Sequence, residues 1–300
     1  MGRRPFAFRS ATIEMTSGPD PSQSSATFTP KIELEGIGQT FFINGSALPV
    51  LQDIDLRVYK GEFVSLIGPS GCGKSTLLNI IAGLEEPTAG VICSGGQPSA
   101  QRLGDIGYMH QKDLLLPWRT VLDNAILGLE LQGEPRPRAR GRALEVMESF
   151  GLKGFEGSYP SLLSGGMRQR AAFLRTVLAD REVILLDEPF GALDAMTRAN
   201  MQEWLLQLWA SWEKTVIMVT HDVEEAVLLS DRVYVLTARP GRVKMVLTVD
   251  LPRPRRYEMV TEEAFVKMKA QIIAALREED GWHGSTSDEG GIPTRMERQL

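Results

Sequence analysis

The chain has 300 residues and a formal net charge of −5 at pH 7. Hydrophobic residues make up 43% and charged residues 24%, proportions that are typical of globular proteins and exclude a fibrous or wholly disordered chain. A protein with this net negative charge has no overall positive electrostatic field that would attract nucleic acid, so we expect no nucleic-acid partner. No apolar run approaches the roughly 20 residues that cross a bilayer, and any role at a membrane requires a partner protein. The two cysteines are too few for a disulfide framework and fit a reducing compartment.

The N-terminal region divides into a tail and a β-prone part. Residues 1–30 are rich in Ser, Thr, Pro and Arg, and we expect a disordered tail. A true start at Met15 and a transit peptide are the alternative interpretations. The runs Lys31–Glu35, Val50–Tyr59 and Phe63–Ile67 are short, β-prone and separated by Gly, Asn and Pro. This pattern predicts an antiparallel β-subdomain that leads into the first buried strand.

Apolar residues recur at helical spacing from Val121 to about Leu178. This spacing predicts an α-helical subdomain, inserted at about residues 115–178. Within it, the arginine-rich stretch Gly133–Gly141 is expected to be a solvated linker between two helices, since that is the usual environment of a charge run.

Two short apolar runs, Val183–Leu186 and Val216–Val219, have the length of central parallel strands. Because strand-like runs alternate with helix-like runs, we predict an α/β protein with a largely parallel sheet. Residues 253–300 are predicted to hold one amphipathic helix and a flexible tail. The helix is indicated by four apolar residues that share one stripe, Phe265, Met268, Ile272 and Leu276.

A phosphate-binding loop is the first motif that carries chemistry. The string G-P-S-G-C-G-K-S-T fits G-x-x-x-x-G-K-[ST] between a predicted strand and a predicted helix. Its glycines allow close backbone approach to phosphate oxygens, Lys74 supplies a charge to the β- and γ-phosphates, and Ser75 supplies a hydroxyl to Mg²⁺. The motif alone leaves kinases, GTPases, helicases and transporters open. The predicted ATP-binding residues are Gly68, Pro69, Ser70, Gly71, Cys72, Gly73, Lys74, Ser75 and Thr76.

Two carboxylates follow a buried run in the string R-E-V-I-L-L-D-E. Ligands of open parallel sheets bind at the carboxyl ends of the strands, which is where both side chains are expected. Asp187 is placed to hold Mg²⁺, and Glu188 to orient and polarise an attacking water as general base. A solvated turn is the alternative for an isolated Asp-Glu pair, and the phosphate loop favours the catalytic interpretation.

The string L-S-G-G-M-R-Q-R begins a second helix with exposed amides. Ser164 is predicted to be its N-cap, and Gly165 and Gly166 leave backbone N–H groups uncovered in the first turn. An ordinary capped helix is the alternative that physical reasoning alone leaves open. The functional interpretation is a second phosphate-binding helix terminus.

With these motifs the chain resembles the ATPase subunits of ABC (ATP-binding cassette) transporters over about Ile32–Leu276, with L-S-G-G-M-R-Q-R as the signature motif. The family normally has Gln at the position of Met167. The resemblance implies a P-loop NTPase (RecA-like) core over residues 31–252, with the antiparallel β-subdomain and the inserted helical subdomain, that hydrolyses ATP with Mg²⁺. It also implies a second ATPase subunit, with a homodimer expected, so that each ATP lies between Lys74 of one subunit and the signature of the other. The signature residues are Ser164, Gly165, Gly166 and Met167.

The resemblance extends to four further positions. Gln111 corresponds to the glutamine that touches Mg²⁺ and the lytic water, and Asp194 lies in the D-loop that crosses the dimer interface. His221 corresponds to the switch histidine at the γ-phosphate. Phe41 is the better match to the aromatic residue that stacks on adenine, with Phe42 in reserve and a β-core role as the alternative. The implied Mg²⁺ ligands are Ser75, Gln111 and Asp187.

Within the family, the strings D-L-L-L-P-W, P-F-G-A-L-D, T-H-D-V-E-E-A and A-R-P-G-R are similar to those of importers of the nitrate, sulfonate and taurine class. Importers of thiamine-type pyrimidine precursors are an alternative. The class implies a membrane permease, a solute-binding protein outside the membrane and a peripheral location on its cytoplasmic face. The apolar segment Leu114–Trp118 is expected to border the groove for a permease helix, and both Leu115→Asp and Trp118→Ala are predicted to uncouple transport.

A non-transport ABC ATPase is the alternative from another functional class. The chromosomal kind has a long coiled coil between the phosphate loop and the signature, but this stretch of the chain shows no heptads. The translation kind carries two cassettes, and only one set of motifs is present here. A P-loop kinase leaves the signature and His221 unexplained.

Overall fold

The computed structural model describes residues 29–99, 101–210 and 214–278. The described strands are β1 (Ile32–Ile43), β2 (Ser46–Val58), β3 (Phe63–Ile67), β4 (Ala89–Ser94), β5 (Gln97–Pro98), β6 (Gly107–Met109), β7 (Val183–Asp187), β8 (Thr215–Val219), β9 (Arg232–Leu236) and β10 (Val243–Thr248). The α-helices are α1 (Lys74–Ala82), α2 (Val121–Ala125), α3 (Leu127–Leu131), α4 (Arg136–Met147), α5 (Gly165–Leu178), α6 (Ala195–Ala210), α7 (Val223–Leu229) and α8 (Glu263–Arg277).

The early strands form the predicted antiparallel sheet, in the order β2-β1-β4-β5. β1 and β2 are joined at Asn44-Gly45, where φ is 50° and 81°. Positive φ at both central residues is the requirement of the tight hairpin turn that matches strand twist. The register pairs Phe41 with Leu48 and Phe42 with Ala47. Because side chains alternate along a strand, these two phenylalanines point to opposite faces of the sheet.

The second sheet has the order β10-β9-β3-β8-β7-β6, and all its pairs are parallel except that of β10 with β9. Every residue of β3, β7 and β8 is buried. This explains why both central runs read as continuously apolar, since helices cover both faces of a parallel sheet. The carboxyl ends of these three adjacent strands bring the phosphate loop, Asp187 and His221 to one edge.

The helical subdomain contains α2 to α5, as predicted, but the expected linker at Gly133–Gly141 is wrong. α4 begins at Arg136, so most of that stretch is helical. Its arginines lie on the surface of the helix and pair with carboxylates of the preceding segment: Arg136 and Arg140 with Asp123, and Arg138 and Arg142 with Glu134. The run of arginines therefore forms a helix surface on which each arginine is paired with a carboxylate.

The C-terminal helix α8 is confirmed. The main core is the apolar cluster that joins helices α2 to α8 with one face of the second sheet. Phe265 and Ile272 are buried in this core, and Met268 and Leu276 pack against it. Lys269 Nζ donates to Glu224 Oε2 over 2.8 Å, which attaches α8 to α7. Residues 1–28 of the predicted N-terminal tail (residues 1–30) and residues 279–300 of the predicted C-terminal tail lie outside the described residues. Of the helices in the described part of the chain, none combines the length and the apolar composition that a bilayer crossing requires.

Candidate active site

The phosphate loop occupies the connection from β3 to α1, and its backbone geometry depends on glycine. Gly73 has φ +105°, and a Cβ there would lie 2.7 Å from Leu51 Cδ2. At Gly68 a Cβ would lie 3.0 Å from both Cys72 Sγ and Leu236 O. The loop is therefore pressed against β2 on one side and against the end of β9 on the other, and neither position has room for a side chain.

Lys74 lies at the base of this loop. Lys74 is 7% exposed, and its ammonium group donates to Gly68 O over 2.7 Å and to Pro69 O over 3.0 Å. A second contact reaches Cys72 Sγ at 3.9 Å. Two carbonyl oxygens of the loop thus hold the ammonium group at the N-terminus of α1, where its charge and the backbone N–H groups of the helix start attract the anionic oxygens of a phosphate chain.

Ser75 and Asp187 meet at the same edge. Ser75 Oγ donates to Asp187 Oδ1 over 3.2 Å. Burial raises the pKa of Asp187 above its ordinary value, and the hydrogen bond from Ser75 partly opposes this. Tyr108 is half-buried nearby, and its desolvation together with the negative charge of Asp187 raises the pKa of its hydroxyl. The sequence did not indicate Tyr108, which has no motif of its own.

The carboxylate of Glu188 is in contact with the side chains of Gln111 and His221. Gln111 Nε2 donates to Glu188 Oε2 over 2.9 Å, and His221 Nδ1 lies 3.5 Å from the same oxygen. Glu188 also has φ +45°, a conformation that costs a non-glycine residue of order 1–3 kcal/mol and is enriched at functional sites. Two residues that lie far apart in sequence, Gln111 and His221, therefore converge on one oxygen of the Glu188 carboxylate.

An open cleft of about 340 Å³ lies beside the phosphate loop. Phe41, Lys74, Ser75 and Glu188 are among its lining residues. Phe42 is 75% exposed and does not line it, because it points to the opposite face of β1. The cleft also contains Arg239, which the sequence motifs did not single out as a site residue.

The signature residues lie elsewhere. Ser164 caps α5, where its hydroxyl accepts from Met167 N over 3.3 Å, and both Ser164 and Gly165 are exposed. Met167 packs against the main core, so the departure from the family's glutamine lies beneath the exposed Ser-Gly pair. Asp194 caps α6 by accepting from Thr197 N over 3.0 Å. Among the described residues that line the cleft, none belongs to the signature.

Comparisons with known proteins identify the family of the chain. The family model for ABC transporters matches residues 51–191. An aliphatic sulfonates import ATP-binding protein of Rhodococcus jostii is 53% identical over 206 residues, which are 69% of this chain and 79% of that protein. A formylaminopyrimidine import ATP-binding protein of Halalkalibacterium halodurans is 42% identical over 249 residues, with coverages of 82% and 98%. A nitrate import ATP-binding protein of Synechocystis is 40% identical over 252 residues, with coverages of 82% and 95%.

A solved structure also shares the fold. The dimeric post-hydrolysis state of an ATP-binding cassette bound to ADP and Pi has a TM-score of 0.65 and 31% sequence identity. The match covers 74% of this chain and 100% of that one. The chain belongs to the ABC transporter ATP-binding protein family and is an ATPase.

Proposed function

We propose that this chain is the ATP-hydrolysing subunit of a solute importer and works as a homodimer that closes around two ATP molecules. One observation carries the proposal. The chain has a phosphate-loop cleft and an exposed, capped signature helix that does not line this cleft. A helix N-terminus of this kind attracts phosphate. A second copy, placed head to tail, would bring its Ser164, Gly165 and Gly166 to the first copy's ATP.

The roles of the cleft residues follow from their positions. Residues 68–76 would enclose the phosphates, with Lys74 as the point charge for the β- and γ-phosphates. Phe41 would stack on adenine, since it is the phenylalanine that faces the cleft. Residues 31–252 would constitute the ATPase domain, and Asp194 would lie at the dimer interface.

The oxygen donors at the strand edge fit Mg²⁺. The Ser75 hydroxyl, the Asp187 carboxylate and the amide oxygen of Gln111 are hard ligands of the type that Mg²⁺ prefers. These three residues would hold the ion. Bound there with ATP, Mg²⁺ supplies charge neutralisation at the β- and γ-phosphate oxygens.

Glu188 would orient the water that attacks the γ-phosphate. Gln111 and His221 both address Oε2 of its carboxylate, so Oε1 stays available to accept a hydrogen bond from this water. The carboxylate then polarises the water as general base. Gln111 and His221 would hold the Glu188 carboxylate in its orientation. The side chain of His221 is exposed enough to reach the γ-phosphate as well.

The permease would dock at Leu114–Trp118, although the structure corrects part of the sequence-based expectation. Leu115 is only 8% exposed and belongs to the main core, so it does not present its side chain to a partner. Trp118 is 72% exposed and Leu114 is also exposed. We therefore assign the docking contact to these two residues, on the cytoplasmic face of the membrane.

The cargo would be a small solute of the nitrate, sulfonate or taurine type. The names of two relatives support this, and the formylaminopyrimidine relative supports a pyrimidine precursor as the second candidate. A solute-binding protein would select it, together with the permease. Uptake of each solute by cells with and without the gene for this chain separates the candidates.

The dimer proposal is tested with purified full chain. Glu188→Gln should bind ATP but not hydrolyse it, and size-exclusion chromatography with ATP and Mg²⁺ should then show a dimer. Lys74→Ala is the matched control and should remain monomeric. A monomeric Glu188→Gln variant with bound ATP would contradict the sandwich, and an ATPase that nucleic acid stimulates would favour the non-transport class.

A further inference from the structure

The loop between β9 and β10 packs against the phosphate loop from outside. Gly241 N donates to Val50 O over 2.8 Å, and Gln52 N donates to Gly241 O over 2.9 Å. A Cβ on Gly241 would lie 2.3 Å from Cys72 O, so the two loops are in direct backbone contact. The position of residues 239–241 is thus fixed relative to both β2 and the phosphate loop.

Arg239 extends from this loop onto the wall of the cleft. Its guanidinium donates to Gly71 O twice, from Nε over 3.0 Å and from Nη2 over 2.8 Å. Arginine has five N–H donors in a rigid planar fork. Two are directed at Gly71 O, which orients the group, and three remain for a ligand in the cleft that Phe41 and Ser75 also line.

Arg239 has no carboxylate partner in the part of the chain that the structure describes. Among the described residues no ion pair involves it, whereas the arginines of α4 are all paired with Asp or Glu. A fixed guanidinium with open donors at the edge of a phosphate loop fits phosphate oxygens, which it binds bidentately. Lys74 is a cation at the base of the same loop. The two positive charges would therefore contact the ligand at different places, Lys74 at the bottom of the cleft and Arg239 at its outer edge.

We propose that Arg239 is a second ATP-binding cation, which contacts the phosphate chain of the nucleotide from the outer edge of the cleft. The inference rests on the proposed ATP site and adds a residue to it. A purely structural alternative is that Arg239 only braces Gly71. The two differ in ligand dependence: a phosphate contact discriminates ATP from adenosine, whereas a brace acts on both ligands through the shape of the loop.

The test compares Arg239→Gln with Arg242→Gln in the full chain. Arg242 is a matched control, since it lies in the same connection but does not line the cleft. Binding of ATP and of adenosine is measured by calorimetric titration, and the melting temperature of each ligand-free variant is recorded. We expect Arg239→Gln to weaken ATP binding about 10-fold, the low end for a hydrogen bond between charged groups. Adenosine binding and the melting temperature should stay at wild-type values, and Arg239→Lys should fall between.

Several outcomes would overturn the inference. If Arg239→Gln binds ATP as tightly as wild type while Lys74→Ala does not, the proposed function holds and the role of Arg239 is wrong. If Arg239→Gln weakens ATP and adenosine equally, or lowers the melting temperature as well, the residue is a brace. If wild type itself fails to bind ATP, the proposed function fails together with the inference.

Discussion

Leu115 and Trp118 provide a sharp contrast within one short segment. Leu115 is 8% exposed and lies in the main core, while Trp118 is 72% exposed. The segment is held in place by Asn124, whose side chain accepts from Leu116 N and donates to Leu116 O. Truncation of a buried leucine removes packed methyl groups and leaves a cavity, so Leu115→Ala should lower the free energy of unfolding by about 2–5 kcal/mol. Trp118→Ala should change it by no more than about 0.5 kcal/mol.

The assays are urea unfolding of the purified chain, its basal ATPase rate, and solute uptake after assembly with the permease. Trp118→Ala should reduce uptake and keep both the stability and the basal ATPase rate. Leu115→Ala should lose stability first, and any loss of uptake should follow the loss of folded chain. An unchanged unfolding free energy in Leu115→Ala would refute the packing argument, and full uptake with Trp118→Ala would refute the docking assignment.

Three further predictions address the site. Gly73→Ala should abolish ATP binding in a titration and lower the free energy of unfolding by more than about 1 kcal/mol, because alanine is strained at φ +105° and clashes with Leu51; wild-type affinity would count against this. Cys72 is 1% exposed, so a maleimide should react with it slowly in the folded chain, and the labelled protein should lose ATP binding; full activity at stoichiometric labelling would show otherwise. Burial lowers the pKa of His110 below its ordinary value of about 6.5, so its contribution to stability is present above that pH and is lost as the pH falls. Unfolding of His110→Asn should therefore depend less on pH between about 7.5 and 5 than unfolding of wild type.

Sequence reasoning predicted the layers of the fold because each depends on a local pattern. The buried strands β7 and β8 read as continuous apolar runs, and the turn at Asn44-Gly45 has the residues that positive φ demands. The same reasoning failed at Gly133–Gly141, because it treated the three arginines of that stretch as solvated charge. One of the carboxylates that pair with them, Asp123, lies in α2 and becomes their neighbour only through the fold of α2 to α4.

In the candidate active site, too, local sequence patterns identified some residues, while others depend on contacts that only the fold creates. Motif residues such as Lys74 and Asp187 were predictable because their order along the chain identifies the strand ends that carry them. Arg239 was not, because its role depends on a contact with Gly71 that no spacing rule connects to the phosphate loop. Leu115 was misassigned for a related reason. Burial of one residue in an apolar run depends on what packs over it, and periodicity cannot decide this for a short irregular segment.

Polar contacts join the start of α6, next to Asp194, to the end of β8, next to His221. Arg198 Nη2 donates to Leu193 O over 3.1 Å, next to Asp194. One helical turn later, Gln202 Nε2 donates over 3.0 Å to Glu225, which is buried and also accepts from the hydroxyl of Thr220. Thr220 immediately precedes His221. Because a buried carboxylate is costly to leave without partners, α6, α7 and the end of β8 are constrained to keep these contacts together. The position of His221 at Glu188 is thus linked to that of Asp194, so the proposed hydrolysis site and the proposed dimer interface are connected within each subunit.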